Sequence, residues 1–199
     1  MLAPPALHGG LAARLVWLVA GLFLCACGSV LFLESKLGLP PWDVLHQGLG
    51  ELVGVSFGVA TLLVSAAVLA LVWRLKARIG LGTVLNAVLV GSFVVALTAV
   101  DAVDALSEEG LGLRITLVPL ALVCFGVGSA FYICASLGAG PRDSLMLVAS
   151  QRLRIRIGAA RTAIEVAALA VGIGPAVEAS FWLLGRTPFA APAVASSAA

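Results

Sequence analysis

Charge is what this sequence has least of. Charged residues make up 11% of its 199 positions, where a soluble domain carries roughly a quarter. Hydrophobic residues make up 61%, and the mean hydropathy is +1.13. A soluble fold must cover itself with polar groups, so this composition excludes one. Only two histidines are present, and no zincin pair can be drawn from them. There is no phosphate-binding Gly-Lys-Ser/Thr loop and no elbow serine. The sequence therefore predicts no enzyme, no cofactor and no metal site. A net charge of +2 is too small to suggest a nucleic-acid partner. Cys25 and Cys27 lie two apart on one apolar run, which points them to different helix faces. With Cys124 and Cys134 they read as small buried apolar residues rather than ligands.

What is present is apolar runs of membrane length, at about 20 residues per crossing. Spans are expected over Leu11–Leu33, Gly54–Trp73, Leu81–Val100 and Arg114–Leu137, with a fifth starting near Gly158. The first run is longer than the apolar core of a cleaved signal peptide, about 7–15 residues. Two Pro/Gly breaks interrupt the pattern, at 34–41 and 138–141. Each leads into a piece too short to cross. The first, Val44 to Val53, is amphipathic; the second carries Arg142, Arg152, Arg154 and Arg156.

The two breaks are copies. Shifting the chain by a hundred positions sets Gly38 on Gly138, Pro41 on Pro141, Asp43 on Asp143 and Gly58 on Gly158. Backwards, Arg14, Gly28 and Ser29 fall on Arg114, Gly128 and Ser129. Positions 10–70 give about 16 identities in roughly 61 pairs, against about six or seven by chance. Three spans per copy would invert the second copy in the membrane. Charge placement agrees. With Arg14 and the Arg74–Arg78 loop inside, the Asp101–Glu109 loop falls outside and the Arg142–Arg161 segment returns inside. Before the fifth span only Lys36 and Arg114 are left outside. The second copy is shorter. Gly91 best matches Gly174, so about 17 residues are missing. Ala159 to Leu184 is then one long span interrupted at Gly172-Ile-Gly-Pro175, or two short arms.

The expected fold is all-α: a polytopic helical membrane protein of two inverted three-helix repeats with short broken, re-entrant segments. A tail covers 1–10, the first repeat 11–100, an acidic external loop 101–113, the shortened second repeat 114–185 and a disordered tail 186–199.

Candidate substrate-binding residues follow from the breaks. Asp43 and Asp143 precede short helices, where a carboxylate can cap the first turn or frame a central site, as in carriers with inverted repeats. Arg142 could bind an anion or simply follow the positive-inside rule. Trp42 and His46 read as interfacial residues. Glu165 is ionisable inside an apolar stretch, which points to a protein interior or cavity. Arg161 can pair with it four residues away. Asn86 and Thr83 can hydrogen-bond between helices or line a path.

The motifs Pro41-Trp-Asp-Val-Leu45, Gly82-Thr-Val-Leu-Asn86, Gly138-Ala-Gly-Pro-Arg-Asp-Ser-Leu-Met146 and Arg161-Thr-Ala-Ile-Glu165 resemble the YczE/YyaS/YitT-type family of bacterial membrane proteins. The resemblance runs over roughly 10–185. It implies a bacterial plasma-membrane location and about six helices, and no settled substrate. Such proteins carry a second Gly-Thr segment after the Glu165 region, which this chain lacks. The reading carried forward is a multi-pass plasma-membrane protein with a cytoplasmic N-terminus. Its partners are the lipid bilayer and an unknown small-molecule or ion substrate, and it could form a homo-oligomer. Two activities stand: a transporter-like permease, or a non-transporting scaffold or accessory protein for another membrane system.

Overall fold

A computed structural model describes residues 10–77 and 79–184, without the side chains of Asp104 and 174–184. The terminal tails expected at 1–10 and 186–199 therefore lie outside the described residues, save Gly10. Eight α-helices and no strands are found among the described residues. They are α1 (Leu11–Ser35), α2 (Pro41–Val53), α3 (Phe57–Arg74), α4 (Leu81–Thr98), α5 (Asp101–Asp104), α6 (Leu111–Cys134), α7 (Pro141–Leu153) and α8 (Ile157–Leu184). The all-α membrane architecture thus holds. Helices α1, α3, α4 and α6 are long and apolar enough to cross a bilayer. Helix α8, at 28 residues, also has the length of a span. Helices α2 and α7, at 13 residues each, do not. Exposed aliphatics such as Val16, Leu63, Leu120, Val123 and Val166 face outward from these helices, an arrangement that suits lipid and not water.

Helices α1 and α6 form the central pair. They run antiparallel, because Arg14 meets the end of α6 while Arg114 meets the end of α1. Arg14 Nε donates to the Ala135 carbonyl at 2.7 Å, and Arg114 Nε donates to the Ser35 carbonyl at 2.8 Å. Both arginines satisfy carbonyls that the last helical turn leaves open. Between these anchors the backbones nearly touch. A Cβ on Gly21 would stand 2.6 Å from the Gly128 carbonyl oxygen, and one on Gly128 would stand 2.7 Å from that of Gly21. Small residues permit this approach, and in lipid close packing is a main source of helix association.

Helix α4 is the main link between this pair and the other helices. Helix α4 packs on α1 and α3, α2 on α3 and α8, and α7 on α3 and α8. Residues a hundred apart share unusual backbone. Lys36 and Ser136 both have φ of 51°, Gly38 and Gly138 have 142° and 128°, and Gly54 and Arg154 have 75° and 53°.

Three details depart from expectation. The span expected to break at Gly172 is continuous. Gly172 is where α2 crosses α8: a Cβ there would lie 2.6 Å from the Leu45 backbone nitrogen. The loop expected at 101–113 is largely helical, as α5, a 3-10 turn at Ala105–Glu108 and the start of α6 at Leu111. Asp43 and Asp143 are not N-caps. Pro40 and Gly140 hold that position, and proline at the first helical position supplies the φ that starts each helix.

The glycine contact yields a paired test. Gly128→Ala is expected to lower stability by about 1–3 kcal/mol by forcing α1 and α6 apart. Gly126→Ala, two residues away with nothing within 4 Å, should be neutral or slightly stabilising. Thermal unfolding of the purified protein in detergent compares them, and equal midpoints would show that the close approach does not hold the pair.

Candidate functional site

The breaks leave opposite ends of the α1–α6 pair, yet the helices they start meet. Ser35 and Ala135 are separated along the pair by some 21 residues of helix, about 32 Å. A five-residue break reaches about 17 Å when extended. Two breaks together close that distance, so α2 and α7 begin near mid-bundle. There the Arg142 guanidinium lies over the Trp42 ring, 4.9 Å from its centroid, close enough for a cation–π contact.

A cavity of about 350 Å³ opens at this meeting point. Its lining falls largely into residues a hundred apart: Ser29 with Ser129, Phe32 with Tyr132, Pro41 with Pro141, Trp42 with Arg142, Asp43 with Asp143, and Ser65 with Glu165. All six residues singled out from the sequence line it: Trp42, Asp43, Asn86, Arg142, Asp143 and Glu165.

His46 ties the two halves together. It is fully buried. Its Nε2 lies 3.2 Å from Arg142 Nη2, and its Nδ1 lies 3.2 Å from Thr61 Oγ1 and 3.4 Å from Asp43 Oδ1. A guanidinium can only donate, so Nε2 must accept. That assigns the neutral imidazole with its proton on Nδ1, an assignment made from the network. The Thr61 hydroxyl donates to the Phe57 carbonyl at 2.9 Å, leaving its oxygen free to accept from Nδ1. His46 is therefore an uncharged bridge between Arg142 and Asp43. The interfacial readings of His46 and Trp42 are both corrected: the two residues are 0% and 7% exposed. The fold turns α2 inward, which its amphipathic sequence alone does not reveal.

The other ionisable groups are matched locally. Asp143 Oδ2 accepts from the Tyr132 hydroxyl. Glu165 and Arg161 pair at 2.8 Å. Asn86 stands against the Gly140 backbone, where a Cβ would meet its amide nitrogen at 3.2 Å. Thr83 faces the second break and accepts from the Gly80 amide at 3.1 Å. Two buried atoms have no hydrogen-bond partner among the described residues, Trp42 Nε1 and Asp43 Oδ2. Leaving such atoms unsatisfied costs roughly 1–3 kcal/mol each. No cluster of three metal-ligating side chains occurs among the described residues.

Sequence reasoning did not find Tyr132 or assign His46. Tyr132 is the one tyrosine of the chain, and its copy-mate Phe32 has no hydroxyl. That difference was the available signal. For His46 the signal was its spacing, three residues after Asp43 on one short helix.

The model of a family of unknown function, DUF6198, matches residues 12–181. The chain belongs to this family. An uncharacterized protein of Haemophilus influenzae is 35% identical over 156 residues, covering 78% of this chain and 69% of the relative. The uncharacterized membrane protein YczE of Bacillus subtilis is 31% identical over 161 residues, covering 80% of this chain and 73% of the relative. No solved structure matches the chain. The YczE-type resemblance of the DUF6198 chain therefore stands, and with the apolar helices it makes this a membrane protein.

Tyr132→Phe should destabilise the fold by about 1–3 kcal/mol, because a partly buried carboxylate loses its donor. A thermal midpoint unchanged from the wild type would show that the hydroxyl contributes nothing to holding Asp143.

Proposed function

We propose that this protein is a transporter-like carrier for a small solute, built as two inverted repeats whose broken helices meet at the substrate site. It sits in the bacterial plasma membrane with its N-terminus in the cytoplasm. The observation that carries the reading is the cavity between the first turns of α2 and α7, lined by Trp42, Asp43, Arg142 and Asp143. Ionisable residues at membrane depth are costly and tend to mark solute paths. Carriers of several folds place their sites where discontinuous helices meet near the midplane. The antiparallel run of α1 and α6, and the cross-packing of α2 on α8 and α7 on α3, are what inversion of one half on the other would produce. The link from this architecture to transport is by analogy of design.

Alternating access supplies the test, and it needs no knowledge of the solute. Cys25 lines the cavity. With Cys27, Cys124 and Cys134 changed to Ala, it is the one thiol left. A membrane-impermeant maleimide should label it in both right-side-out and inside-out vesicles. A scaffold without a moving path would be labelled from one side or from neither, and that result sinks the carrier reading. Orientation is checked by a C-terminal reporter. Five crossings with the N-terminus inside place it outside, and an inside signal would require a different number of crossings.

A further inference from the structure

We infer that the cavity takes a zwitterionic solute, one carrying a carboxylate and an ammonium group on neighbouring atoms, as a free amino acid does. This rests on the carrier reading and names its substrate class. The argument is one of elimination among the charged groups that face the cavity. Glu165 and Arg161 neutralise each other at 2.8 Å. Asp143 is held by the Tyr132 hydroxyl, to which Asp43 has no counterpart. That leaves Arg142 and Asp43. Neither has an ion-pair partner of full opposite charge within 4.0 Å among the described residues. Neutral His46 stands between them instead, contacting both.

The open valences then define a ligand. Arg142 has five N–H donors, and one is used on His46. Beside it, Trp42 Nε1 is a buried donor with no partner. Neighbouring donors suit a carboxylate, and a guanidinium suits it best. Asp43 Oδ2 is a buried acceptor with no partner. An oxygen that lacks a donor suits an ammonium group, which has three. His46 touches Arg142 through Nε2 and Asp43 through Nδ1, so one imidazole ring spans donor and acceptor and the complementary groups on the solute must also be close together. A lone cation would leave Arg142 and Trp42 unanswered, and a lone anion would leave Asp43 unanswered. A cavity of about 350 Å³ lies at the low end for small-molecule sites, which fits a metabolite of amino-acid size. Phe32, Phe125 and Met146 supply an apolar wall for a side chain.

Thermal shift of the purified full chain decides this with three probe sets. Glycine, leucine and phenylalanine are the zwitterions. Their methyl esters keep only the ammonium group, and their N-acetyl forms keep only the carboxylate. At least one zwitterion should stabilise the protein with an apparent affinity tenfold or more above both of its derivatives. In Asp43→Asn the advantage over the N-acetyl form should vanish, and in Arg142→Gln the advantage over the ester should vanish. Should either variant fail to fold, the wild-type comparison decides alone. Esters that bind as well as the free amino acids overturn the inference in favour of a cation site, and N-acetyl forms that do so favour an anion site. No response to any zwitterion overturns it as well. Labelling of Cys25 from both sides would in each of these cases leave the carrier reading standing.

Discussion

The contact between α1 and α6 is the constraint on which the rest depends. Because Gly21, Gly28 and Gly128 let these backbones approach, the two helices can lie antiparallel at close range, with an arginine locking each end. That arrangement puts the breaks at opposite ends of one rod. The chain must then come back along the rod from both ends before α2 and α7 can start. Cavity, buried charges and meeting helix starts all follow from that return. A bulkier residue at Gly128 would disturb the site through Cys25, whose Sγ a Cβ there would meet at 2.9 Å.

Residues a hundred apart divide the work of the cavity between them. Shared pairs supply the frame: Pro41 with Pro141 starts the helices, and Asp43 with Asp143 places a carboxylate in each first turn. Unlike pairs supply the chemistry. Trp42 faces Arg142, a flat apolar ring under a flat cation. Where the first half has Phe32, the second has Tyr132, whose hydroxyl is used on Asp143. Where the first half has Ser65, the second has Glu165, whose charge is met by Arg161. Both carboxylates remain in the cavity; the Tyr132 hydroxyl occupies Asp143, and Asp43 is left as the group with an open valence.

Much of this was legible in the chain. The hundred-residue offset, the spans and the short broken helices follow from hydropathy and from Pro/Gly placement, because those patterns record what a bilayer demands of each segment. The six candidate residues come together because they lie on the breaks or on the helices beside them. What was not legible is direction. Trp42 and His46 carry the signature of an interface, and only the return of the break shows that they point inward. Asp43 looked like a cap because capping is local, whereas its His46 contact depends on helix geometry one turn further on. Gly172 looked like an interruption because sequence cannot tell a glycine that breaks a helix from one that lets another helix cross it.

The halves differ most in how the two breaks are closed. The second break is sealed by backbone. The Gly82 amide donates to the Leu137 carbonyl at 2.8 Å, and Gly80 and Gly138 stand close enough that a Cβ on either would lie 2.9 Å from the other's α-carbon. This sealing is the work of the Gly82–Asn86 segment at the start of α4. The first break has no such cover among the described residues. A groove runs beside it, bordered by Lys36, Gly38, Leu39 and Ser107 of the acidic turn. Opening the second break means separating a helix start held by a hydrogen bond and by close glycine contact. Opening the first means moving a break that borders a surface groove. The two breaks therefore differ in the work needed to move them, and that difference comes from the packing of the start of α4 on the second break.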